Sequence, residues 1–156
     1  MYLFFDVETT GLPRNWKRPV SDTFNWPRMV QLAWLVYDEQ EQLTESHNYI
    51  IKPEGYEIPY ESERVHGIST ERAQAEGRDL KTILTQFSAA IRDAEYIVAH
   101  NINFDEKVVG AEFIRKSVNH QLFSSERYCT MQEGTFFCKI PGKYGRYKWP
   151  SLMELH

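Results

Sequence analysis

Two carboxylates one residue apart, Asp6 and Glu8, close an apolar and aromatic run, Tyr2-Leu-Phe-Phe5. Residues of this kind fit a pleated surface, so the run reads as a buried strand. Side chains alternate along a strand. Val7 therefore faces away from Asp6 and Glu8, which share one face. Two anions held that close repel, which raises a pKa unless a cation sits between them. A divalent metal ion suits that place, because Mg²⁺ and Mn²⁺ take hard oxygen ligands. A D-x-E pair alone is more often a solvated turn. Here Thr9-Thr10-Gly11-Leu12 follows it directly, adding two hydroxyls and a glycine.

A second acid stands in a comparable setting. Glu95 to Ala99 is short and apolar, a buried strand that His100-Asn101 ends. Asn103-Phe104-Asp105-Glu106 then opens a helix running to about Lys116, and Asn103 with Glu106 has the pattern of a capping box. Asp105 falls in the first turn, where the helix dipole favours its ionised form.

The stretch from Asp6 to Leu12 resembles the first motif of the DEDD (DnaQ-like) 3′–5′ exonucleases, D-x-E-T-T-G-L. Ala99 to Asp105 resembles their second, a strand-end H-N-x-x-F-D. The resemblance implies an α/β, RNase H-like fold: a mixed five-stranded sheet of order 3-2-1-4-5, flanked by helices, with the first strand central. It implies Asp6, Glu8 and Asp105 as catalytic metal ligands, for two Mg²⁺ or Mn²⁺ ions in a complete enzyme. It places Val7, Thr9, Thr10, Gly11, Leu12, His100, Asn101 and Phe104 in the substrate cleft. Val65-His66-Gly67-Ile68-Ser69 is similar to a family segment beside the terminal nucleotide, which adds His66 and Ile68. The implied partner is a single-stranded DNA or RNA 3′ end, and a DNA polymerase is an allowed one.

The family's third motif, H-x-x-x-D or Y-x-x-x-D on a helix after the fifth strand, has no counterpart. Four positions beyond Tyr144 stands Lys148, beyond Tyr147 stands Ser151, and His156 is the last residue. The expectation is one exonuclease domain over residues 1–156, truncated at its C-terminus, lacking the last helix and weakly active or inactive by itself. The alternative from another class is a non-catalytic module that binds nucleic-acid 3′ ends.

Periodicity supplies the elements that must position these groups. Met29 to Tyr37 is apolar on both alternating faces and reads as an interior strand; Leu43 to Lys52 reads as a more exposed one returning antiparallel. Pro53 to Pro59 is a loop, and Ser69 or Thr70 caps a short helix that Gly77 ends. Asp79 to Asp93 carries Leu80, Ile83, Leu84, Phe87 and Ile91 on one helical face. Arg127 to Met131 is a fifth strand, Gln132 to Lys139 a short helix or turn, and Ser151 to His156 the opening of a helix. Two loops, residues 13–28 and 142–150, mix basic and aromatic side chains and are candidate nucleic-acid contacts.

A chain of 156 residues fits one domain. Its net charge of −4 gives no general attraction for nucleic acid, so any such attraction must be local. Cys129 and Cys138 form neither a C-x-x-C pair nor a disulfide framework, which suits reduced thiols and a cytoplasmic setting. No stretch has the ~18 apolar residues of a membrane span. Phosphate-loop, zinc-protease and nucleophile-elbow motifs are absent.

Overall fold

The structure, a computed structural model, describes residues 1–155. Five strands form one open sheet: β1 (Tyr2–Thr9), β2 (Met29–Tyr37), β3 (Leu43–Ile50), β4 (Tyr96–Ala99) and β5 (Glu126–Cys129). Their order is β3-β2-β1-β4-β5, as expected. The first three run antiparallel through loops and a short turn, while β4 and β5 lie parallel to β1. Parallel pairing needs a crossover, which the helices provide. These are α1 (Tyr60–His66), α2 (Thr70–Glu76), α3 (Leu80–Asp93), α4 (Ile102–Lys116), α5 (Thr130–Cys138) and α6 (Leu152–Leu155).

One face of the sheet carries the main core. Leu3, Phe5 and Val7 of β1 and Leu32, Trp34 and Val36 of β2 pack there with the apolar stripe of α3 and with Val108, Val109 and Phe113 of α4. Asp79 caps α3 by accepting the Thr82 N–H at 2.8 Å. A smaller cluster, Val30, Ile58, Ile68 and Ala73, fixes α2 against β2.

The opposite face corrects the reading of β1 as buried on both sides. Tyr2 and Phe4 are each 39% exposed, and Ala33, Leu35 and Tyr37 of β2 are only half-buried. The apolar residues on this side line an open groove instead of a second core.

Tyr60–His66 is a helix that no apolar period marks, because it buries no residue. The capping-box reading of α4 needs correction. The N-cap of α4 is Asn101, in the left-handed region at φ 69°, and it makes no side-chain cap. Asn103 lies inside that helix. Its supposed capping partner Glu106 is buried and receives Arg127 Nη1 at 2.8 and 3.1 Å. The last turn, α6, forms as expected through Leu155; His156 lies outside the described residues.

Candidate active site

The acids meet where β1 outruns its neighbour. β4 pairs with β1 only as far as Phe4 opposite Val98, so the edge of β1 from Phe5 onward is free on that side. The first turn of α4 fills the place that β4 vacates. There the Val7 N–H donates to Asp105 Oδ1 at 3.3 Å. Asp105 belongs to the helix layer, yet this bond ties it to the strand between Asp6 and Glu8.

Alternation turns Asp6 onto the open face, into a groove of about 510 Å³. Ala33, small and directly opposite Asp6 in the β-ladder, helps to leave the groove its depth. His100 lines the same wall and is fixed by Nδ1 contacting Thr130 Oγ1 at 3.0 Å. Leu152 and Leu155 of α6 close the far side.

The carboxyls are electrostatically unsettled. Burial raises Asp6, against the Val7 N–H and the nearby His100, which lower it. Burial and then the Asp6 charge raise Glu8. Asp105, 3% exposed, is pushed up to about 8, by burial first and by the Asp6 charge second. None of the three forms an ion pair among the described residues. Nor do any three described His, Cys, Asp or Glu side chains draw together into a ready-made metal cage.

A model of the RNase T-type exonuclease family matches residues 3–153. The chain belongs to that exonuclease family. Solved structures of similar fold include E. coli exonuclease I in complex with a dA16 oligonucleotide: TM-score 0.77, 18% identity, covering 99% of this chain and 34% of that one. A product-bound exonuclease I aligns with TM-score 0.73 at 18% identity over 96% of this chain and 36% of its own. The zinc-bound E. coli exonuclease I–ssDNA complex aligns with TM-score 0.69 at 19% identity, over 86% and 29%. This exonuclease chain thus spans about a third of the length of those proteins. No curated protein sequence matches it.

The remaining cleft candidates of this exonuclease chain separate into groups. Thr9 and Thr10 shape the turn: Thr9 Oγ1 donates to Gly11 O at 2.7 Å, and Thr10 Oγ1 accepts the Arg28 N–H at 3.0 Å. Gly11 stands at φ 143°, where a side chain is strained, and Leu12 is 73% exposed. His66 lies beside the Thr9 backbone, and burial lowers its pKa. Its Nδ1 accepts the Ile68 N–H, so the neutral ring carries its proton on Nε2, which is buried without a partner. Asn101 turns the chain into α4, and Phe104 packs partly against the core.

Two expected contacts do not present their side chains. Ile68 is 2% exposed inside the smaller cluster, where it holds α2 to the sheet. Val7 points into the main core and offers the site only its N–H, already given to Asp105. Thr130 and the groove residues Ala33 and Leu35 carried no motif signal; the strand alternation around Asp6 is the signal that finds the β2 pair. Trp16, from the first basic loop, lies 5.6 Å from the Phe104 ring, centroid to centroid, and is 45% exposed.

Proposed function

We propose that this exonuclease chain acts on single-stranded nucleic acid at its 3′ end, by phosphodiester hydrolysis dependent on Mg²⁺ or Mn²⁺. Asp105 carries the proposal: a buried carboxyl tied between two other acids, with no cation to balance it among the described residues. Structural carboxylates buried to this degree are ordinarily paired.

An all-oxygen donor set fits a hard divalent ion. Asp6, Glu8 and Asp105 would hold it; when bound, such an ion lowers the pKa of a water and balances charge on the phosphoryl oxygens. The chain's own residues orient the strand. The groove beside Asp6 is open enough to receive it. Trp16 and Phe104 offer ring faces for a terminal base.

Single strands are favoured over duplex by the stacking faces and by the likeness to exonuclease I with a bound dA16 oligonucleotide. The 3′ direction rests on the two motifs. After β5 no His or Tyr is followed four positions on by Asp, so the family's general base has no equivalent here. Such a base is worth typically ~10²–10⁴-fold, so this chain turns over slowly.

The test uses strands labelled at either end, with the chain in excess and Mn²⁺ present. Slow release of mononucleotides from the 3′ end, stopped by EDTA, is the expected result. Release that survives both EDTA and Asp6→Ala contradicts the proposal. Metal-dependent binding of 3′ ends with no release supports the non-catalytic module instead.

A further inference from the structure

Positive charge is unevenly placed in this chain. Between Glu133 and Glu154 there is no acid, while Lys139, Lys143, Arg146 and Lys148 are all present and all exposed. That segment is +4 in a chain of net −4, so the remaining residues sum to −8. The same segment holds the most exposed aromatic side chains of the C-terminal region. Tyr144 is 97% exposed, Phe137 83%, Phe136 73% and Trp149 63%. Apolar rings left in water beside unpaired cations need a reason that core packing does not supply.

The segment is also built, not loose. The Gly142 N–H donates to Arg146 O at 2.8 Å and the Lys148 N–H to Ile140 O at 3.0 Å, which closes a small hairpin. A Cβ on Gly142 would meet Arg146 O at 2.8 Å and Lys148 N at 2.9 Å, so the closure needs glycine there. Tyr144 takes φ 58°, an unfavourable region for an aromatic residue, and the hairpin holds it outward. Lys148 is anchored on Glu154 at 2.7 Å, which leaves Lys139, Lys143 and Arg146 without a carboxylate partner among the described residues.

The helices on either side of the segment reach the groove beside Asp6. Thr130, at the start of α5, and Leu152 and Leu155 of α6 line the groove that contains Asp6. The two helices that flank the hairpin in the chain, α5 before it and α6 after it, thus both reach that groove.

We infer that the hairpin of residues 140–149 is a second binding surface, a track for the single-stranded nucleic acid on the 5′ side of the end being cleaved. Lys143 and Arg146 contact phosphates, and Tyr144 gives a base a stacking face. This assignment rests on the exonuclease reading for its direction, from hairpin to acids. An anionic, base-bearing strand is the partner that uses both the charge and the rings; an acidic protein surface would use the charge alone.

The experiment is equilibrium binding of a fluorescent oligothymidylate in EDTA, where no hydrolysis can occur, as a function of salt. Variants are Lys143→Gln with Arg146→Gln, and separately Tyr144→Asn, chosen because Asn tolerates the left-handed backbone. Circular dichroism and melting temperature check that each is folded. Losing two phosphate contacts should make the slope of log affinity against log salt shallower by about 1.4, at ~0.7 per contact on single strands. Losing one stacked base should weaken binding by roughly 5- to 150-fold with the salt slope unchanged. Affinity and slope equal to wild type in both variants overturn the track, as does a wild-type chain that does not bind the strand. The exonuclease reading is decided separately, by hydrolysis of the nitrophenyl ester of thymidine monophosphate, too small to reach the hairpin. Failure there with a normal hairpin effect removes the enzyme and keeps the surface.

Discussion

Helix α4 carries three buried acids, Asp105, Glu106 and Glu112, and the first and last of them live under opposite conditions. Glu112 is fully buried, but its Oε1 meets Arg28 Nε at 2.9 Å and Arg115 Nη1 at 2.9 Å, and accepts the Met29 N–H at 3.0 Å. The Arg115 contact is one of charge more than of an aligned hydrogen bond, since its Nη1 finds no well-directed acceptor. Asp105 has the Val7 N–H, its own backbone N–H, and two like charges. The chain supplies counter-charge where an acid fastens a loop to a helix. It supplies none to Asp105, on which the charges of Asp6 and Glu8 act instead. The first arrangement is complete in itself, whereas the second, under the proposed function, is the one that a divalent cation would complete.

Removing the first acid should have the larger effect on stability. Glu112→Gln leaves two guanidinium groups without their carboxylate and should cost roughly 3–5 kcal/mol, read by denaturant unfolding. A loss below ~1 kcal/mol would erase the distinction between the two acids.

Removing an acid of the second kind should spare the fold and stop the chemistry. Asp6→Ala should lower metal-dependent 3′ release by on the order of 10²–10³-fold under single-turnover conditions, with unfolding unchanged. Equal loss of folding and activity would make Asp6 a structural residue.

The pH response should separate them more finely. Asp105 has a folded-state value of about 8 against an ordinary 3.8, so the folded chain holds a proton that the unfolded chain releases. Its contribution is full below pH ~4 and is lost as pH rises toward 8. His66 and His120, both lowered from 6.5 by burial, act in the other direction and only below about that pH. In EDTA, stability should therefore fall from pH 6.5 to 8 by roughly 1.5 kcal/mol, since the proton is almost fully held at pH 6.5 and half released at 8. Asp105→Asn should flatten that slope.

The placement of the acids on these elements was legible because motif and periodicity agree: an apolar strand ends in D-x-E, and a helix begins with the third acid. The pairing of α3 and the sheet was legible from Leu80, Ile83, Leu84, Phe87 and Ile91 for the same reason. Helix α1 was not, because it buries no side chain. Its only local marks are Glu61 and Glu63 in the first turn and Arg64 and His66 in the last, which complement the helix dipole. The role of Glu106 was hidden by a local pattern. Asn103-x-x-Glu106 imitates a capping box, while the pairing with Arg127 joins residues from different elements. Ile68 was read as a contact, but its environment is set by Val30, Ile58 and Ala73, which only the folded chain brings together.

Mn²⁺ added to the folded chain at pH 7.5, followed by melting temperature, tests most directly whether the β1–α4 acids await a cation. At about 100 times its dissociation constant, an ion that binds only the folded state stabilises by ~2.7 kcal/mol. For a chain of this size that is a rise of roughly 5–10 °C. Wild type should show it, and Asp6→Asn and Asp105→Asn should each lose it while melting as folded proteins in EDTA. A Mn²⁺ response as large in Asp105→Asn as in wild type would contradict the assignment of these acids as the metal site.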